Sequence, residues 1–184
     1  IANCLVGSEM CIRDSTNYPK PFIQKYDFVK GFSDGVLDYQ SIQKNDISYS
    51  TLLIDNFKVN EVPVLAKILT LASLQGIADL LTGEGIRFTD FEMRYKKNKR
   101  LTTIEEIFAI GPAISVLMNG YIEQDKIVSL RGTLVPATTI NKTISNIPVL
   151  GDILVGEKAG EGVFGVSFKI KGPVSYTHLT LPTS

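Results

Sequence analysis

The chain has 184 residues, with 19 Lys and Arg against 19 Asp and Glu, one His, two Cys and no Trp. This length predicts one domain or a fragment of a larger protein. Apolar residues make up 44% of the chain, which is too many for a disordered tail, and they are too evenly spread for a bundle of membrane helices. Because the net charge is zero, the basic surface typical of nucleic-acid binding is not expected, and no nucleic-acid partner is predicted.

The two ends of the chain have related coding sequences. Residues 10–14 (MCIRD) can be back-translated as ATGTGTATAAGAGAC, whose reverse complement GTCTCTTATACACAT encodes residues 174–178 (VSYTH). Both ends also resemble translated adapter sequence from transposase-based library preparation. We therefore expect residues 1–15 and 174–184 to be adapter-derived and residues 16–173 to be a fragment of a single domain.

The segment 16–173 has no Cys, His or Trp, because Cys4, Cys11 and His178 lie in the two ends. A Ser–His–Asp triad, a Cys nucleophile, a thiolate zinc site, an imidazole metal ligand and a disulfide framework are therefore excluded from this segment. We predict that it is not an enzyme and that it needs no cofactor or metal.

The first part of the segment predicts strands followed by helices. Short apolar stretches in residues 25–43, broken by glycines, are typical of a β-hairpin. Residues 47–53 alternate apolar Ile47, Tyr49 and Leu53 with serines, and a change of phase near residues 55–56 predicts a bulged strand.

Residues 62–82 have apolar side chains at helical spacing, with a proline in the first turn and glycines after the end. Lys67 and Asp79 lie inside this stretch and Gly76 offers a break, which argues against a membrane-spanning helix. Two short helices packed beside a sheet are expected instead.

The remainder alternates between strands and turns. Strands are predicted at 86–95, 101–110, 113–123, 126–135 and 164–170, with a polar hairpin tip at 96–100 and further short helices at 139–155. The predicted fold is mainly β with short helices, in the form of a curved antiparallel sheet with two apolar helical insertions.

Three motifs have structural interpretations that we prefer to functional ones. Residues 160–165 (GEGVFG) match G-x-G-x-x-G, but a strand follows where a phosphate loop needs a helix. Glu105 and Glu106 are adjacent, so on a regular strand they point to opposite faces and form no paired-carboxylate site. The basic tip at 96–100 fits a solvated turn, the alternative being contact with anionic lipid headgroups.

Seven short runs, taken in order, resemble the C-terminal region of the AsmA-like family, close to its YhdP branch and related to TamB. The similarity covers about residues 25–173. The runs are FKV with VPVLA at 57–66, LASLQG at 71–76, GEGIRF at 83–88, IGPA at 110–113, RGTLVP at 131–136, IPVLGDIL at 147–154 and EGVF at 161–164.

The resemblance implies a fold and a function. Members of that family are envelope proteins of Gram-negative bacteria, anchored in the inner membrane and extended through the periplasm as a curved β-sheet groove. They are implicated in moving phospholipids toward the outer membrane and in maintaining its barrier, and they are not known as enzymes. By this resemblance the chain is a periplasmic part of an inner-membrane-anchored protein, with phospholipid or a membrane surface, and also envelope proteins, as partners.

One-sided apolar strands and helices either form a plain core or hold acyl chains. Under the second interpretation, the candidate lipid-contact residues are Phe164, Val166, Phe168, Ile170, Leu65, Ile68, Leu69, Ile77 and Leu80. The alternative function is a structural or interaction domain that caps a β-sheet and docks a partner protein without binding lipid. An apolar patch confined to the helices, over a fully packed sheet, would favour that alternative.

Overall fold

The structure is a computed structural model that describes residues 2–6, 9–23, 31–60, 62–136, 165–173 and 178–180. Within these ranges ten strands form one antiparallel sheet, in which each strand pairs with its neighbours along the chain. The strands are β1 (Ala2–Val6), β2 (Glu9–Thr16), β3 (Gly31–Lys44), β4 (Ile47–Asn60), β5 (Ile86–Asn98), β6 (Leu101–Ile110), β7 (Ile114–Glu123), β8 (Ile127–Pro136), β9 (Val166–Pro173) and β10 (His178–Thr180).

The sheet is curved and does not close, so the predicted mainly β fold with a curved antiparallel sheet is confirmed. Between β4 and β5 lie two short helices, α2 (Pro63–Leu71) and α3 (Gln75–Thr82), as predicted for residues 62–82. A single helical turn, α1 (Lys20–Ile23), precedes β3. The second predicted helical segment, residues 139–155, lies outside the described residues.

The two helices end by similar main-chain bonds. After α2, Ser73 has a φ of 58° and the amide of Leu74 donates to the carbonyl of Leu69 at 2.8 Å. After α3, the amide of Gly85 donates to the carbonyl of Leu80 at 2.7 Å. Such bonds satisfy carbonyls that the last helical turn leaves without partners. Among the described residues, no helix has the length and apolar character to cross a bilayer.

Strands β1, β2 and β10 fall in the two ends that we expect to be adapter-derived. They extend the sheet at its edges, with β2 pairing along β3 and β10 along β9. An open edge offers main-chain donors and acceptors to any extended segment. Pairing at an edge is therefore compatible with either origin of these residues, and their adapter origin stays a prediction.

The prediction of a hairpin within residues 25–43 is wrong. β3 is one continuous strand of 14 residues, and its turn into β4 lies at Asn45 and Asp46. The interior glycine that suggested a turn, Gly35, has a φ of 93° but remains within the strand.

A crease crosses three neighbouring strands at Gly35, Asn56 and Thr89. These positions are skipped in the pairing of β3 with β4 and of β4 with β5, while the register on either side is unchanged. Asn56 has a φ of 51°, and the buried side chains switch phase there, from Ile54 to Phe57. The predicted phase change is thus present without an extra residue, because all three strands change phase together.

The core lies on one face of the sheet, called here the core face. At its helical end Phe57 stacks on Phe32 and on Phe88 with ring centroids 5.4 Å apart, and meets Phe91 edge-on. The helices contribute four buried side chains to the same apolar cluster: Ile68, Leu69, Ala78 and Leu81. α2 and α3 therefore pack as part of the core.

Candidate lipid-contact face

The strand register places the core-face side chains of β3–β9 in four rows that cross the sheet. The first two rows are almost entirely apolar, and the third and fourth mix apolar with polar residues. In strand order they are Leu37, Ile54, Phe91, Ala109, Val116, Leu134, Val166; Tyr39, Leu52, Met93, Ile107, Met118, Gly132, Phe168; Ser41, Ser50, Tyr95, Ile104, Gly120, Leu130, Ile170; and Gln43, Ser48, Lys97, Thr102, Ile122, Val128, Gly172.

The first row and the fourth row differ in how far their side chains are exposed. In the first row every residue except Phe91 is buried, whereas in the fourth row no residue is buried. The fourth row lies nearest the hairpin turns at 45–46, 99–100 and 124–126, opposite the end that carries the helices. The core face is therefore covered at its helical end and accessible at its turn end.

The predicted strand candidates lie together on this face. Val166, Phe168 and Ile170 occupy the first, second and third rows on β9, and all three are buried, with Phe168 only 2% exposed. Phe164 lies outside the described residues. The strand candidates are thus adjacent to one another but covered.

The helix candidates divide by exposure. Ile68 and Leu69 are buried in the same cluster as Phe168. Leu65 and Ile77 are partly buried and pack against this cluster, while Leu80 is exposed.

A cluster of five hydroxyl groups on the core face was not predicted. The hydroxyl cluster consists of Tyr39, Ser41, Ser48, Ser50 and Tyr95. Ser41 Oγ lies 3.0 Å from the Oγ atoms of both Ser48 and Ser50, and Tyr39 Oη lies 3.2 Å from Ser50 Oγ and 3.4 Å from Tyr95 Oη. Ser50 is only 4% exposed, and burial of a hydroxyl is tolerated when it is hydrogen-bonded in this way.

The alternation in β4 suggested that its apolar side consists of Ile47, Tyr49 and Leu53 and that the serines face solvent. In the structure Tyr49 and Leu53 are exposed, whereas Ser50 is buried. The signal that could have revealed this is the pairing of Ser41 with Ser50 in a hairpin turning at 45–46.

The expectation that Glu105 and Glu106 point to opposite faces is wrong. The register between β5 and β6 shifts at this point, and Glu105 is the extra residue of a β-bulge. Both carboxylates lie on the outer face, where Glu106 pairs with Arg94 and Glu105 lies 3.5 Å from Lys96. The hydrogen bond from Arg94 to Glu106 raises the pKa of Arg94. Each carboxylate thus forms an ion pair with a basic side chain. This arrangement does not suit a pair of carboxyl groups that act as catalytic acid and base.

No family model, curated protein or solved structure matches this chain. In the ranges that the structure describes, no cluster of His, Cys, Asp and Glu could hold a metal ion.

The hydroxyl cluster makes a prediction about Tyr39. Burial acts to raise the pKa of Tyr39, but hydrogen bonds with Ser50, Tyr95 and Ser41 and the charge of Lys97 outweigh it and lower the pKa below 10.0. Absorbance titration should therefore show that the Tyr39→Phe variant lacks one tyrosine ionisation that the wild type completes below the ordinary tyrosine pKa. The same variant should lower the free energy of unfolding at neutral pH by about 1 kcal/mol.

The sign of the pH effect follows from the lowered pKa. The folded state releases the Tyr39 proton at a lower pH than the unfolded state does. The ionisation therefore stabilises the folded state fully above the pKa of Tyr39 in the unfolded state, and this stabilisation is lost as the pH falls through the pKa of the folded state. The stability gap between wild type and Tyr39→Phe should widen as the pH rises toward 10. A gap that narrows over this range would contradict the prediction.

Proposed function

We propose that this chain is a non-enzymatic segment of a Gram-negative envelope protein that takes part in phospholipid transport between the inner and outer membranes and in outer-membrane integrity. The observation that carries the proposal is the apolar side of an open sheet across β3–β9, which is left partly exposed at its turn end, at Ile122, Val128 and Leu130. Such a surface binds hydrocarbon without a reactive group, since each Å² of apolar area removed from water contributes about 25 cal/mol. The similarity to the AsmA-like family supports the periplasmic location.

Lipid enters, in this proposal, from the turn end of the core face. Ile122 and Val128 in the fourth row and Leu130 in the third are only partly buried. An acyl chain laid over them runs toward Ile170 and Phe168 in the covered rows. At the opposite end α2 and α3 act as an apolar insertion that covers the sheet, consistent with the burial of Leu69 and Leu81 in the core.

A capping domain that docks a partner protein is the second candidate function. It is favoured by the burial of the first row and by three exposed apolar side chains on the helices, Val64, Leu71 and Leu80. In that case the core face is plain core, and the helices form the contact surface.

Site-specific photo-crosslinking separates the two functions. Benzoylphenylalanine at position 130, where Leu130 is only partly buried on the core face, should capture a phospholipid with a labelled acyl chain. The matched control is Arg131, the next residue on β8, which is exposed on the outer face. We expect label at 130 to exceed label at 131 several-fold.

Equal labelling at positions 130 and 131, or none at either, would contradict acyl-chain binding on the core face. Benzoylphenylalanine at Leu71 and Leu80 tests the capping function in parallel. Capture of envelope protein there, together with no lipid at 130, would support the capping domain instead.

A further inference from the structure

The turn end of the core face is polar on one side and apolar on the other. On β3, β4 and β5, the third and fourth rows hold six residues that we call the polar quarter: Ser41, Gln43, Ser48, Ser50, Tyr95 and Lys97. On β7 and β8, the same two rows hold Ile122, Val128 and Leu130, next to a glycine. An amphipathic surface of this kind matches an amphipathic ligand.

We propose that the polar quarter binds the anionic phosphate of a phospholipid headgroup while the acyl chains lie over β7–β9. This inference rests on the proposed function and assigns the orientation of the lipid. It places the headgroup at the β3–β5 side of the turn end and the tails toward Ile170 and Phe168.

The charge of this region suits a phosphate. Lys97 is exposed and is the one charged side chain of the two rows, and neither row contains a carboxylate. Its register neighbours in the fourth row, Ser48 and Thr102, carry hydroxyl donors, and Gln43 carries an amide donor. Phosphate oxygens accept hydrogen bonds from all of these groups, most strongly from the ammonium.

The hydroxyl cluster can donate a hydrogen bond to a ligand while keeping most of its own hydrogen bonds. Ser48 Oγ lies 3.4 Å from Ser50 Oγ, which is a long contact, whereas Ser41 holds Ser50 at 3.0 Å. Ser41 Oγ also lies 3.0 Å from Ser48 Oγ, and either hydroxyl can be the donor. Ser48 can therefore accept from Ser41 while its own proton points outward, which loses only the long contact with Ser50. In keeping with this geometry, hydrogen bonds from the hydroxyl cluster and the charge of Lys97 lower the pKa of Tyr39 although burial acts to raise it.

The dimensions also fit one lipid molecule. Neighbouring strands are about 4.8 Å apart, so β7 and β8 lie roughly 10–15 Å from Lys97 on β5. One leaflet, headgroup included, is about 20 Å deep, so a single phospholipid is long enough to contact both sides of the surface.

Calorimetry with short-chain lipids tests the assignment. Binding of dihexanoylphosphatidylglycerol, below its micelle concentration, is compared with binding of dihexanoylglycerol, which has the same tails without phosphate, and with inorganic phosphate. We expect Lys97→Gln to weaken the phospholipid about fivefold and to leave dihexanoylglycerol unchanged. Lys97→Arg should restore binding, and Lys169→Gln, which removes an exposed charge from the outer face, should have no effect.

The possible outcomes separate the two proposals. If Lys97→Gln leaves the affinity for the phospholipid unchanged, the headgroup assignment is wrong and acyl-chain binding still stands. If inorganic phosphate binds as tightly as the phospholipid, the placement of the acyl chains over β7–β9 is wrong, since the tails then contribute nothing. If neither lipid binds the wild-type protein, both the headgroup assignment and the proposed function are wrong. Melting temperatures of the variants check that each remains folded.

Discussion

Leu81→Ala should lower the free energy of unfolding by about 2–5 kcal/mol, because it empties space in a packed core. Leu81 lies at the end of α3 with 0% of its surface exposed, in one cluster with Leu69 and Phe88. In a chain of this size each kcal/mol shifts the melting temperature by roughly 2–4 °C, so a fall of about 4–20 °C is expected. Thermal melts followed by circular dichroism measure it directly.

The preceding residue provides a matched control. Leu80 is also in α3 but is 46% exposed, so Leu80→Ala makes the same chemical change without a cavity. Alanine and leucine have similar helix propensities, and the two variants therefore differ mainly in burial. We expect Leu80→Ala to melt within about 2 °C of wild type. Similar melting temperatures for the two variants would show that α3 does not pack on the sheet.

The sequence pattern was sufficient to predict the element types. Period-2 alternation and turn residues located β6, β7 and β8 to within one residue, and helical spacing after Pro63 located the two helices. These signals are local, since each depends on one element being buried on one side.

Features that depend on several strands at once were missed. The crease at Asn56 looks like a bulge in one strand, but Gly35 and Thr89 adapt beside it, so no residue is extra. The opposite error occurs in β6. The sequence pattern there looks regular, but Glu105 is an extra residue relative to both neighbouring strands, β5 and β7. Register between strands decides both cases, and register is not encoded in any single strand.

The candidate site was predicted in part for the same reason. Alternation placed Val166, Phe168 and Ile170 on one face, but it could not show that these residues are covered. The hydroxyl cluster was missed because isolated serines in a strand read as a solvent face. Only the pairing of Ser41 with Ser50, beside Tyr95, brings them together in the interior.

The same substitution, glycine to alanine, should have opposite effects at two positions. Gly120 lies in β7 at a φ of 147°, which side chains rarely adopt. A Cβ there would overlap the carbonyl oxygen of Ser129 and lie 2.9 Å from the Cα of Leu130 on the neighbouring strand. Gly76 lies in the first turn of α3, where a Cβ has no described atom within 4 Å.

Gly120→Ala should therefore destabilise the protein by about 2–4 kcal/mol, because β7 and β8 must separate to admit the methyl group. Gly76→Ala should stabilise it by about 0.5–1 kcal/mol, since alanine restricts the unfolded chain and favours the helix. Urea unfolding of both variants measures the two changes on one scale, with the slope of each transition checking that the unfolded states are comparable. Because Gly120 lies in the third row between Ile104 and Leu130, a Gly120→Ala variant as stable as the wild type would contradict the register that brings the candidate lipid-contact residues together.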